Sequence, residues 1–565
     1  MAFQVSPGVE IREIDLTNVV PAVSTSVGGF AGNFTWGPIE EITDISSEKQ
    51  LADKFGIPTD ANASDFFTAA SFLKYSNALR TVRINNAAYK NAVDAGSATL
   101  IKNATKYEEL KSGFSSGTAA WAAKYAGTLG NSLAVSFCAA DSTGTTTAYE
   151  AWAYKDLFDS FPGTSDYAND LGGDFDEIHI VVVDEDGLWT GLAGTVLEKF
   201  SFLSMASDAK NPDGSTNYYA DVINAQSKYI WFLKHPSALT TAGNTAAGRT
   251  FLCSDVQEDF SLTGGVDATS TTVANIEDGF LLFADPGVVD INLLFTPTVA
   301  SSETDAQDVA NYVLGIASTR KDCFALVSPQ ISATVGNADP KAAVISFAED
   351  LTGTSYGSCD SSAIKVYDKY NDKYINIPAS GHVAGLCANA DNTSDPWFSP
   401  AGLTRGQLLN VTRLAFNPTQ LDRDDLYKKR VNPIVSFPGE GTVLFGDRTL
   451  LARPSAFDRI NVRRLFIVLQ KSIAIAARAQ LFEFNDEFTR AMFRNMVEPF
   501  LRDVKGRRGI TEFKVVCDDT NNTAEVIDSN QFVADMYIKP NRSINFISLN
   551  FIATRSGVQF SEIGG

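Results

Sequence analysis

Apolar positions change period several times along the chain, and each change marks an element. Near the start, Val9-Glu10-Ile11-Arg12-Glu13-Ile14 alternates between Pro7-Gly8 and Pro21, which predicts a strand with no local partner. The run STSVGGFAGNF over 24–34 reads as a strand interrupted by glycine and closed by Trp36-Gly37-Pro38. Ser47 with Gln50 three residues on fits a capping box, so a helix is expected over 48–55 with Gly56 as its stop. Phe67, Ala70 and Leu73 recur at helical spacing within 64–78, and RTVRIN over 80–85 returns to a strand. This first block is α/β.

From 87 to about 300 that regularity gives way to stretches rich in Ala, Ser, Thr, Gly and Asp, with short strands such as 178–184 and 228–233. Turn formers over 141–149 and 208–217 predict exposed loops, so the segment reads as a β-rich insertion projecting outward. The α/β pattern then resumes with a helix over 305–319, a strand over 323–327, a helix over 340–350 and a hairpin whose arms, 364–368 and 373–377, flank Asn371-Asp372. Further on, 460–481 carries Leu465, Leu469, Ile473 and Ala476 on one helical stripe. Asn485 is the expected N-cap of a second helix that buries Phe488, Met492 and Met496, and Pro499 is expected to break or kink it. Strands are expected over 512–517, 531–539 and 543–554. The organisation read from this pattern is a multidomain mixture of α/β and α+β: a split α/β domain at 25–86 and 300–430, the insertion at 87–299, a C-terminal α+β domain at 431–556, and arms at 1–24 and 557–565.

Charge adds a division that hydropathy does not show. Residues 455–565 hold 15 Lys+Arg and 13 Asp+Glu, whereas the preceding 454 residues hold 31 and 54. A net charge of -21 argues against binding a phosphate backbone with the bulk surface. Nowhere do 18 apolar residues run together, and the start lacks the pattern of a secretory signal, so neither membrane insertion nor export is expected. Six scattered cysteines form no C-x-x-C, and three histidines form no H-x-x-x-H, which leaves no metal or cofactor site to propose. Gly28-Gly29-Phe30-Ala31-Gly32 follows a strand but lacks the spacing of a dinucleotide fingerprint, and close backbone packing explains it better. Cys359 with His382 has no supporting signature as a nucleophile and base. One basic concentration remains: Arg490, Arg494, Arg502, Lys505, Arg507 and Arg508 against Glu498 and Asp503. Arg490 and Arg494 are expected on an outward helix face, and either a binding face, a solvated face or dipole compensation at the helix end accounts for the cluster.

The stretch from Phe457 through Ile510, with FKVVCDDTNNT and YIKPNRSINFISLNF after it, resembles the C-terminal domain of contractile tail sheath proteins of T4-like myoviruses. SPGVEIREID and GGFAGNFTWGP are similar to that family's opening. The resemblance implies a structural, non-catalytic protein that forms six-membered rings stacked helically around a tail tube. Contraction of that lattice would drive the tube through the host envelope. It implies a C-terminal domain innermost, so that the six cations face the tube, and terminal arms, with Val9, Ile11, Ile14, Val558 and Phe560, that add strands to neighbouring copies. The implied partners are the chain itself, the tube protein, and baseplate and tail terminator proteins. Its implied place is the virion tail, assembled in the host cytoplasm. A sheath of a phage-derived injection or secretion system is an alternative, and an acidic surface adhesin is one of a different class.

Overall fold

A computed structural model describes residues 24–97, 100–114, 119–268, 271–299 and 302–545. The expected arm residues Val9, Ile11, Ile14, Val558 and Phe560, and the strand expected over 543–554 from residue 546 on, lie outside the described residues.

The centre of the molecule is a seven-stranded sheet whose strands come from two separated stretches of chain. In chain order they are β1 (Gly28–Gly32), β2 (Ile42–Ile45), β3 (Leu79–Arg83), β4 (Leu293–Phe295), β5 (Phe324–Val327), β6 (Gly357–Asp360) and β7 (Val431–Asn432). Their spatial order is β7-β6-β5-β4-β1-β3-β2, parallel throughout except for β2, which runs antiparallel to β3. Parallel strands covered on both faces are apolar without alternation, and β1, β4, β5 and β6 are buried at every position. One face is covered by α1 (Glu48–Phe55), α2 (Ala63–Phe72) and α6 (Ser380–Thr393). The other is covered by α3 (Val273–Leu281), α4 (Glu303–Arg320) and α5 (Pro340–Glu349). Glycine is needed in β1 for close approach: a Cβ on Gly28 would lie 2.7 Å from the Phe72 ring, and one on Gly29 2.9 Å from Leu294.

The sheet moves two expected boundaries. β4 and α3 precede residue 300 yet belong to the sheet and its helical cover, and β7 begins at 431 yet pairs with β6. Three buried residues in a row, such as Leu293-Leu294-Phe295, have no period that would assign them to one domain or another. Between β3 and α3 lies a separate antiparallel body with a four-stranded sheet ordered Thr195–Ser204, Glu177–Asp184, Leu133–Ala139, Gln257–Ser261. Its entering and leaving segments run side by side, bridged at Lys90 to Val266 and Val93 to Thr263. Its core takes in Trp36 from the loop after β1, which meets Tyr125 and Trp189 edge-on at 5.4 and 4.9 Å.

The C-terminal part is a helical hairpin, α7 (Ile460–Arg478) and α8 (Glu487–Gly506), packed on the two-stranded antiparallel sheet of β8 (Ile510–Val516) and β9 (Asp535–Pro540). The α7 stripe Leu465, Leu469, Ile473 and Ala476 is buried as the spacing predicts. In α8 the buried stripe is Phe493, Val497, Leu501 and Val504 with Met496, while Phe488 is exposed and Met492 half-buried. Two neighbouring rows both fit i, i+4 spacing, and the longer row faces the sheet. The N-cap is Asp486, which accepts the Thr489 N–H at 2.8 Å, one residue beyond the expected Asn485. Pro499 lies inside an unbroken helix and not at its break. Proline has no N–H for the carbonyl of Asn495, but Asn495 is exposed, so water can take that bond.

Candidate assembly surfaces

The six cations spread along α8 and just past its end, from Arg490 to Arg508, divide among three environments. Arg490 is buried: its guanidinium donates to the Asp519 carboxylate at 2.7 Å and to Asn485 Oδ1 at 3.0 Å, so it ties α8 to the loop after β8. That corrects its expected outward placement; the two residues flanking the buried row on α8 do not share one exposure, and Arg494 is half-buried. Arg502 and Lys505 are exposed. Arg507 pairs with Asp395 at 3.0 Å and Asp503 at 3.3 Å, and its guanidinium lies 5.1 Å from the Trp397 ring. Arg508, at φ 66°, lines a cleft between the C-terminal part and the central sheet domain.

That cleft has a volume of about 1010 Å³. Trp397, Phe398, Tyr427 and Phe445 give it aromatic walls, and six cations, Arg405, Arg423, Lys428, Arg448, Arg508 and Arg542, line it against Asp424 and Asp447. Asp447 is already engaged: it accepts from Ser399, Ser543, Asn545 and the Tyr427 hydroxyl, and pairs with Arg459 at 3.5 Å. The cleft is therefore strongly positive in spite of the acidic chain.

The first turn of α7 fastens the hairpin to the central domain. Arg464 pairs with Asp391 of α6 at 2.6 Å and donates to the Cys387 carbonyl at 3.0 Å, with the two charged side chains 5% and 3% exposed. Burial pushes the Asp391 carboxyl up, and the guanidinium opposes that. Arg463 is sandwiched at 4.2 Å from the Tyr356 ring and 3.9 Å from that of Phe457. Sequence reasoning took Arg463 and Arg464 only as helix residues; two adjacent cations at the start of an apolar helix stripe were the available signal.

The places where an α/β sheet would carry chemistry are filled by the chain itself. In an open sheet the ligand crevice lies at the carboxyl ends of strands where the order reverses, here between β1 and β4. Asp65 of α2 occupies it, accepting the N–H groups of Asn33 at 2.9 Å and Thr298 at 2.9 Å, just past those two strands. Burial raises its carboxyl to about 6, and those two N–H bonds limit the rise. Next along the sheet edge, Asp360 accepts from the Ser328 hydroxyl and the Ser362 N–H, and burial raises it to about 7. Cys359 and His382 are not brought together as a pair. The His382 Nδ1 meets the Tyr75 hydroxyl at 3.1 Å with burial lowering the ring to about 3, while burial pushes the Cys359 thiol well up and its sulfur faces the Asp360 carbonyl.

Three family models match successive parts of the chain: tail sheath protein Gp18 domain III N-terminal region over 25–84, phage tail sheath protein central domain over 273–450, and phage tail sheath C-terminal domain over 452–554. The tail sheath protein of Vibrio phage KVP40 is 33% identical, with 99% of each chain covered, and that of Enterobacteria phage T4 is 32% identical, with 99% of each covered. The chain belongs to the phage tail sheath family. Among solved structures, a sheath tail protein of Listeria innocua shares this sheath protein's fold with a TM-score of 0.54, at 11% identity and over 92% of this chain and 96% of that one. One from Desulfitobacterium hafniense does so with a TM-score of 0.52, at 11% identity and over 94% and 100%. All seven strands of the central sheet fall in the two matched segments 25–84 and 273–450, and the antiparallel insertion of the sheath protein falls between them.

Proposed function

We propose that this sheath protein polymerises as helically stacked six-membered rings around a tail tube and contracts to drive the tube through the host envelope for genome ejection. The observation that carries this reading is identity along the whole chain, not one domain of it, to tail sheath proteins of contractile-tailed phages. The role is structural, without catalysis or nucleic-acid contact, and Asp65 filling the sheet's crevice supports it. Partners are further copies of the chain, the tube protein, the baseplate and a tail terminator; the assembled protein is part of the virion tail and is built in the host cytoplasm.

Within that role, the insertion forms the outer surface of the sheath, and the terminal arms link copies by strand addition. A two-stranded sheet leaves main-chain donors and acceptors at its edges, which an incoming strand satisfies while subunits rotate. The tube is met by the exposed cations Arg502 and Lys505, with Arg494 beside them on the same row of α8. Exposed charges are screened beyond about 8 Å at physiological salt, so tube-templated assembly slows as salt rises. Negative-stain microscopy of the purified protein, alone and with tubes, tests the reading. Ringed tubes are expected from the full chain, and a folded chain that does not polymerise is expected on deletion of residues 1–20; absence of ringed tubes under all conditions sinks it.

A further inference from the structure

The turn between α7 and α8 carries apolar side chains that its own domain leaves uncovered. Leu481, Phe482, Phe484 and Phe488 are 63%, 105%, 84% and 74% exposed. Glu483, Asp486 and Glu487 lie among them, and no cation occurs from 481 to 488. Phe482 holds φ at 73°, a region that disfavours bulky side chains, and the turn keeps it there with the ring in full exposure. Clustered exposed aromatic residues mark a surface that meets a partner.

At the other end of the same two helices lies the cleft, with the opposite charge and matching aromatic walls. Asn461, in the first turn of α7, and Arg508, just past the end of α8, both line it. Among the described residues Arg508 and Arg542 pair with no carboxylate. The 20 residues of α8, at 1.5 Å per residue, separate tip and cleft by about 30 Å, so the tip of a chain does not reach its own cleft. A cleft of about 1010 Å³ is of the size that takes a drug-sized molecule, and so has room for two phenyl rings.

We propose that the acidic aromatic tip 481–488 of one copy docks in the basic aromatic cleft of a neighbouring copy. Phenyl rings enter against guanidinium faces and the walls of Phe398 and Phe445, and the tip carboxylates pair with Arg508 and Arg542. A patch and its complement at different places on one chain make a head-to-tail contact, which propagates as a helix or ring and does not close as a two-fold dimer. The proposal rests on the sheath reading, from which it takes the presence of neighbouring copies, and it adds the two surfaces that meet.

The test uses the full chain with a photo-crosslinking amino acid in place of Phe482, assembled from a mixture of isotopically light and heavy copies. Mixed-label crosslinks to peptides within 397–405, 420–428 or 445–448 are expected. Phe482→Ser with Phe484→Ser, at exposed positions, and separately Arg542→Glu should each keep the wild-type circular dichroism and raise the concentration at which assembly begins about tenfold or more. Mixing the two variants restores one contact per pair, so between the wild-type and variant thresholds dimers and no polymers are expected. Wild-type tubes with crosslinks that map elsewhere, to the tube protein included, overturn the docking and leave the sheath reading intact, as does a tip variant that assembles at the wild-type concentration. A wild-type chain that forms no polymer overturns both.

Discussion

The Asp360 carboxyl ends a buried strand, held between the Ser328 hydroxyl and the Ser362 N–H, with burial raising it to about 7. Because its folded value lies above the unfolded one near 3.8, the folded chain holds the extra proton between the two. The stability this contributes is fully present below about pH 4 and is lost as pH rises through 7. Asp360→Asn keeps an oxygen for Ser362 and presents a donor to the Ser328 hydroxyl without a charge. The stability of the unassembled variant, read by thermal unfolding, should therefore fall less steeply from pH 4 to 8 than that of the wild type, by an amount on the order of 4 kcal/mol. At Arg464 the logic is reversed, because the charge opposite it stays. Arg464→Ala leaves Asp391 buried without its cation and should destabilise by roughly 3–5 kcal/mol, whereas Arg464→Met combined with Asp391→Leu recovers most of that. Urea unfolding followed by protease cleavage in the segment 451–459, before α7, reads the effect as release of the hairpin from the central domain.

Helix α8 shows what spacing can and cannot decide about an element. Its existence follows from apolar recurrence after a capping residue, expected at Asn485 and found at Asp486, but the rows 488-492-496 and 493-497-501 are adjacent, and only β8 and β9 select between them. Arg490 lies at the edge of the row that is chosen, three residues before Phe493, which is why an arginine expected outside is buried against Asp519. Pro499 lies on the solvent side, where its missing N–H is borne by water and not by an orphaned buried carbonyl. Pro499→Ala should lengthen the unfolding half-life of the C-terminal domain and stabilise it by about 1–3 kcal/mol, measured by denaturant titration of the unassembled protein. A loss of stability would mean that the proline sets a bend on which packing depends.

At the scale of the molecule, the insertion is attached by two paired segments, bridged at Lys90 to Val266, and by Trp36 reaching into its core. Directly paired residues in an antiparallel ladder lie about 4.5–5.5 Å apart, a gap that a short glycine linker spans. Excising 91–265 across that bridge, with Trp36→Ser to remove the ring that loses Tyr125 and Trp189, should leave the seven-stranded sheet folded, as judged by far-UV circular dichroism and a single cooperative melt. Under the proposed radial arrangement, such a chain still forms tubes, and their outer diameter is smaller in negative stain. Loss of tubes from a folded core would place the insertion within the lattice.

The local elements were legible wherever period and caps agree: Ser47 accepts the Gln50 N–H at the start of α1, the hairpin pairs Ile364 with Ile377 and Asp368 with Lys373, and the α7 stripe is buried. These depend on near neighbours, so the sequence determines them by itself. It also determined the family, because identity runs the length of the chain. Only the tertiary structure could decide that β1 lies between β4 and β3, since that pairing joins residues more than 250 positions apart and leaves no periodic trace in either strand. It alone decided that Asp65 fills the crevice between those strands, that Arg464 finds Asp391, and that the cations between Arg490 and Arg508 separate into a buried clamp, a helix surface and a cleft wall. Charge is visible in a sequence, but burial and partner are set by which distant segments pack together, and those two fix what each charged side chain does.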